Sequence, residues 1–217
     1  MSELTILTTS KSVRVAIQGS EKSAKIALIA LHGYGQLVPF FIKKFQALDP
    51  ELMYVIAPEG LHRFYLKGAS GRVGASWMTK EAREQDIVDN LNYLDTVYQK
   101  YITKEHFDEV IVLGFSQGAA TAARWIEHTQ NKIDTFIQWA GVFPPDLEFE
   151  NKYIKLKSIK HYYVVGNQDP YFSDDLSNEY NQTLWLQNHE FNPQIVHFEG
   201  KHDIDSNTLQ QILNKVD

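Results

Sequence analysis

The chain has 217 residues, 43% of them hydrophobic and 12% aromatic, which suits one folded domain with a substantial core and excludes a disordered or fibrous class. Acidic residues outnumber basic ones by 27 to 21, for a formal charge of −6, and no dense run of Lys or Arg occurs, so nucleic acid and anionic membrane surfaces are poor partners. There is no cysteine, which excludes disulfides, zinc-thiolate sites and a cysteine nucleophile.

The N-terminus, Met1-Ser2-Glu3-Leu4-Thr5, lacks the basic region and apolar core of a secretory signal, and no apolar run approaches the roughly 18 residues that span a bilayer. A cytoplasmic protein without stable membrane insertion is the expectation. Residues 4–9 and 13–18 are short β-prone segments parted by Ser10-Lys11-Ser12, which predicts an opening antiparallel hairpin. Ile26 to Leu31 is a continuous apolar run that reads as a central strand, ending in the glycine-bearing loop His32-Gly33-Tyr34-Gly35-Gln36. A helix is expected from Phe40 to Leu48, stopped by Asp49-Pro50, and Met53 to Ala57 is the next buried strand. From Leu61 to Ser76 the pattern is lost; a loop of that length inside a compact domain is uncommon unless it covers or shapes a site.

Helix resumes after Trp77, where Thr79 suits an N-cap and Ile87, Leu91, Leu94 and Tyr98 form one apolar stripe. Val110 to Leu113 is a short β-branched run, followed by Gly114-Phe115-Ser116-Gln117-Gly118 and then an Ala-rich helix. This G-x-S-x-G stands in the strand-turn-helix context that gives the motif meaning: a strained, sharp turn exposing a serine hydroxyl at a helix N-terminus. Further strands are expected at Thr135 to Ala140, His161 to Val165 and Pro193 to Phe198, with helices over Ser173 to Asn188 and Ser206 to Val216. The alternation predicts an α/β fold, with a mostly parallel central sheet, the N-terminal hairpin, and helices on both faces, as one domain over residues 1–217.

Loops at the carboxyl ends of parallel strands open onto one edge of the sheet. Those expected here carry His32-Gly33-Tyr34-Gly35, then Ser116, then Asp169 in Gly166-Asn167-Gln168-Asp169-Pro170, then His202 in Gly200-Lys201-His202-Asp203. The order Ser, Asp, His is that of an α/β-hydrolase. A serine hydroxyl needs a base to take its proton, and an imidazole needs a carboxylate to fix its tautomer and stabilise its charged form. Of eight histidines, His202 alone follows the last strand in a Gly-containing loop. Competing acids are Asp146, Asp174 and Asp175, while Asp203 adjoins His202 too closely in sequence to bond it well. The oxyanion of the tetrahedral intermediate needs backbone donors: the N–H of Gln117, which the turn dictates, and that of Tyr34, whose flanking Gly33 and Gly35 permit close approach.

Leu31-His32-Gly33-Tyr34-Gly35, Ala57-Pro58-Glu59-Gly60, Ser76-Trp77, Gly114 to Gly118, Gly166 to Pro170 and Gly200-Lys201-His202 resemble the signature blocks of the phospholipase/carboxylesterase family, which includes the acyl-protein thioesterases. They occur in the family's order from about residue 25 to 205. The resemblance implies the α/β-hydrolase fold, a Ser116, Asp169, His202 triad, an oxyanion hole from the Tyr34 and Gln117 backbone, no metal or other cofactor, no large lid domain, Trp77 near the substrate channel, and a tendency to homodimers.

Tyr34, Phe64, Tyr65, Trp77, Phe143, Tyr171 and Phe172 crowd the loops expected to border the site, with Trp77, Phe143 and Tyr171 the candidates for substrate contact. Arg63, Lys67 and Arg72 could meet a carboxylate or phosphate, or be plain solvated cations. The leading expectation is a serine carboxylesterase acting on small to medium apolar esters through an acyl-enzyme on Ser116. A thioesterase or lysophospholipase would use the same residues on other small-molecule substrates. A non-catalytic ligand-binding protein of the same fold is the alternative from a different class.

Overall fold

A computed structural model describes residues 3–102, 107–150, 154–172 and 181–215. Its sheet has seven strands in the order β1-β3-β2-β6-β7-β8-β9. These are β1 (Val15–Gln18), β2 (Ile26–Leu31), β3 (Met53–Pro58), β6 (Glu109–Phe115), β7 (Thr135–Trp139), β8 (Lys160–Gly166) and β9 (Gln194–Phe198). All pairings are parallel except that of β1 with β3 at one edge. β2, β3 and β7 are buried at every position, as strands covered by helices on both faces must be.

Side chains alternate across the sheet. From β6, Val110 and Val112 enter one core with Leu94, Trp125 and Phe136. Ile111, Leu113 and Phe115 enter a second core with Phe41, Phe45, Trp139 and Leu209. The first core is closed by α2 (Arg83–Tyr101) and α3 (Gln117–His128), and the second by α1 (Val38–Phe41) with the 3-10 turn Ile42–Phe45, and by α6 (Ser206–Leu213). Two further helices are α4 (Ile154–Ser158) and α5 (Gln182–Asn188), and a second 3-10 turn spans Pro145–Glu150.

The fold class expected from the sequence is therefore present, with local differences. The strand expected at residues 4–9 has not formed: Leu4, Ile6 and Leu7 are 98%, 71% and 89% exposed, and the antiparallel edge is made by β1 against β3 alone. β-propensity without a neighbouring strand and a buried face does not hold a strand. The 61–76 stretch is a hairpin, β4 (His62–Tyr65) with β5 (Val73–Ser76), and Gln36 bridges to Ala75. The helix expected from Phe40 starts earlier, with Pro39 in its first turn, and tightens into the 3-10 turn by Phe45. Thr79 closes a short turn, accepting from Glu81 N, and α2 begins only at Arg83. Of the helix expected over residues 173–188, the first eight residues lie outside the described ones, as does Val216 of the last helix.

Candidate functional site

The parallel strands all end on one edge, and β2 lies beside β6 where the chain order reverses, which is where α/β sheets place their sites. At the end of β6 the backbone of Ser116 has φ 54 and ψ −119, a conformation that costs a non-glycine residue about 1–3 kcal/mol. The surroundings enforce it. Ser116 N donates to Trp139 O at 2.9 Å, and a Cβ on Gly114 would lie 2.5 Å from Ala119 Cα. A Cβ on Gly118 would lie 2.3 Å from Leu31 O. Any larger residue at either glycine would push α3 off the sheet and relieve the turn. Ser116 thus heads α3, where free N–H groups and the helix dipole favour negative charge.

The loop after β2 packs directly on this turn: a Cβ on Gly33 would sit 3.1 Å from Ser116 Cβ. His32 anchors that loop. It is wholly buried, its Nδ1–H donates to Gly33 O at 2.7 Å, and its Nε2 accepts from Gly60 N at 2.9 Å, which specifies the neutral ring. Burial lowers its pKa in the same sense. Neither Tyr34 N–H nor Gln117 N–H donates to any acceptor among the described residues. Gln117 follows Ser116 in the chain, and Tyr34 follows Gly33, the glycine packed on Ser116.

On the other side, Asn167 N and Gln168 N donate to Phe198 O and Gly200 O, both at 2.9 Å, tying the loops after β8 and β9 together. The closeness requires Gly166, since a Cβ there would meet Gly200 O at 2.4 Å. The tie brings Asp169 Oδ2 to 2.7 Å from His202 Nδ1, while Asp169 Oδ1 accepts from Tyr171 N at 2.9 Å. The Asp169 carboxylate is almost fully buried, so its position is set by these two bonds. The His202 ring lies 5.0 Å from the ring of Phe115, the residue before Ser116, and 4.8 Å from that of Tyr171. Ser116 Oγ and His202 Nε2 make no hydrogen bond to each other; such bonds are commonly long before substrate arrives and tighten on its binding.

The rival acids are otherwise engaged or out of view. Asp146 takes bidentate bonds from Arg124 at 2.7 and 2.5 Å and one from Arg83 at 2.7 Å. Burial alone would raise its pKa, but the two guanidinium groups outweigh burial and hold it well below the usual carboxylate range. Asp203 pairs with Lys44 at 2.5 Å, and Asp174 and Asp175 lie outside the described residues.

Two residues expected beside the substrate are placed elsewhere. Trp77 is fully buried, its indole N–H donating to His32 O at 2.8 Å and its ring 5.1 Å from the His32 ring. It braces the loop after β2 and offers no surface to a ligand. Phe143 is 3% exposed and stacks on Trp185 at 4.7 Å, because the aromatic cluster with Phe191 gives it a dry site. Tyr171, by contrast, is 77% exposed beside His202, and Tyr34, at 60%, leans on Phe64 with centroids 5.0 Å apart. Arg63 is spent on Glu59, a buried carboxylate that Arg14 also grips at 2.8 and 2.7 Å.

The Gln117 side chain has a role the sequence did not suggest. Its Oε1 accepts from Trp77 N at 3.1 Å and its Nε2 donates to Met78 O at 3.0 Å and Ser76 Oγ at 3.1 Å, tying the serine turn to the end of β5. Asn90 on α2 then donates to Trp77 O at 2.7 Å. Only a polar residue after the serine and another on the helical stripe hinted at this. A groove of about 840 Å³ between residues 6–13 and α2 is lined by none of the expected site residues.

The family model for serine hydrolases (FSH1) matches residues 22–211. No curated protein sequence matches the chain. Among solved structures the chain is similar to esterase PE8, with TM-score 0.67 and 17% identity over 95% of this chain and 100% of that one. It is similar to Zea mays acyl-protein thioesterase 2, with TM-score 0.66 and 15% identity over 94% and 97% of the two chains. It is also similar to the Bacillus cereus carboxylesterase, with TM-score 0.61 and 17% identity over 94% and 95%. At these identities the likeness is one of fold, the α/β-hydrolase fold that the sequence resemblance implied. No helix among the described residues is long and apolar enough to cross a membrane.

Proposed function

The chain belongs to the serine hydrolase (FSH1) family, and on that premise we propose that it is a carboxylesterase cleaving small to medium apolar esters through an acyl-enzyme on Ser116. One observation carries the reading: the strained serine at the head of α3 shares a sheet edge with a buried carboxylate hydrogen-bonded to an imidazole at 2.7 Å. In the proposed reaction His202 Nε2 takes the Ser116 hydroxyl proton as Oγ bonds the ester carbonyl carbon. Asp169 steadies the resulting imidazolium through Nδ1–H. The N–H groups of Tyr34 and Gln117 receive the oxyanion. Collapse breaks the bond to the alcohol, which leaves with the proton from His202. Water, activated by the same imidazole, then frees the acid and restores Ser116.

The test is direct. A fluorophosphonate probe should label the wild type at Ser116 and leave Ser116→Ala unlabelled, and the variant should lose about 10⁴-fold or more of its turnover of p-nitrophenyl butyrate. Full activity in Ser116→Ala would remove the reading, and an unlabelled, inactive wild type would favour a ligand-binding protein. The fold shared with a thioesterase favours a second reading on the same residues. Turnover of acyl thioesters, lysophospholipids and simple esters by one preparation separates the two.

A further inference from the structure

A groove of about 630 Å³ opens beside the candidate oxyanion loop, floored by Leu37, Phe40 and Val73 and flanked by Lys44 and Arg72. Two of its lining residues adjoin the proposed chemistry: Gly35 follows Tyr34, and Lys44 bonds Asp203, the neighbour of His202. Its charge runs against that of the chain. Acids exceed bases 27 to 21 overall, yet the lining residues include two bases and no acid. Lys43 adds a third cation, 5.7 Å above the ring of Phe40, itself 67% exposed. Of these, Lys44 is balanced by Asp203, whereas the exposed Arg72 guanidinium has no ion pair or hydrogen bond among the described residues. A planar fork of donors at the rim of an apolar channel matches a carboxylate or phosphate at the end of an apolar chain.

Resting on the esterase reading above, we infer that this groove selects esters bearing an anionic group remote from the scissile bond, with Arg72 as its receptor. The carboxylate or phosphate bonds the guanidinium while the connecting chain covers Phe40 and Val73. Which half of the ester carries the anion is settled by using two matched pairs. On the acyl side, the p-nitrophenyl half-ester of glutaric acid is compared with p-nitrophenyl valerate. On the alcohol side, 4-acetoxybenzoate is compared with phenyl acetate.

The wild type should favour the anionic member in one pair. The ratio of kcat/KM, anionic over neutral, should fall about fivefold in Arg72→Gln, chiefly through KM, further in Arg72→Glu, and less in Arg72→Lys, which keeps the charge and loses the fork. Molar salt should erase most of the preference. A purely structural role for Arg72 lowers both members of a pair equally and leaves the ratio unmoved, which would overturn the inference. So would a wild type that turns over neutral esters without preference in either pair, although the esterase reading would then survive. A wild type that turns over none of the four would overturn both.

Discussion

Around Ser116, a Cβ added to Gly114 or Gly118 would lie 2.5 or 2.3 Å from backbone atoms, whereas at the tip of the β4–β5 hairpin Gly68 and Gly71 have nothing within 4 Å. Both stretches read as glycine-rich turns, yet glycine answers a different need in each. At the serine turn it is absence of volume that counts, since α3 and the loop after β2 must touch the backbone. At the hairpin tip it is the backbone angle, φ +60 and +90, in open solvent. One region is over-determined and holds the serine in a conformation it would not choose. The other is loosely constrained and carries Arg72, the proposed anion receptor.

That contrast can be broken in order of size. Gly118→Ala should cost about 3 kcal/mol or more, because the atom it meets is the backbone oxygen of Leu31 and a central strand cannot yield. Chemical denaturation should show a large loss of stability, or the variant should fail to fold; an unchanged midpoint would mean that the turn is not packed as described.

The packed side should also be the acid-sensitive side. His161, on β8, is buried with its Nε2 at 3.1 Å from Gln138 Oε1, its ring stacked on Phe136 at 4.9 Å, and Phe191 at its edge. Its Nδ1 has no partner, and burial lowers its pKa to about 3. Below about pH 6.5 the unfolded chain takes up a proton that the folded ring refuses. Stability therefore falls on acidification from there toward about pH 3, by roughly 2 kcal/mol between pH 6.5 and 5 for this group alone. His161→Phe should flatten that limb by about one proton's slope, while Gln138 Oε1 loses its partner at every pH. Equal slopes in the two proteins would refute the assignment.

The smallest effect belongs to the hairpin. Gly68→Ala must place a Cβ at φ +60, costing about 1 kcal/mol, and Gly68→Asn less. For a chain of this length that is a melting shift of about 2–4 °C. A loss matching that of Gly118→Ala would erase the distinction between the two regions.

The buried strands were legible because runs such as Ile26 to Leu31 are apolar on both faces, a pattern that survives whatever packs on them. The chain order of Ser116, Asp169 and His202 was equally legible, since each follows a strand whose end faces the same edge. The hairpin at 62–76 was not, because its strands pair with each other and are oriented by contacts from distant parts of the chain, the bridge to Gln36 and the Gln117 side chain among them. Nor was the fate of the aromatics. Trp77 and Tyr171 look alike as large residues near loops, but one is fully buried behind His32 and the other 77% exposed beside His202.

What the sequence determined by itself is local: which segments become strands, where the serine turn falls, and which titratable residues stand at strand ends. Those depend on side-chain periodicity and glycine placement within a few residues. The tertiary structure alone decided that Asp169 meets His202 across 33 residues, that the Gln117 side chain binds the end of β5, and that Arg72, unpaired among the described residues, borders a groove beside the loop after β2. Those are properties of distances between elements, which follow from how two cores close on the faces of one sheet.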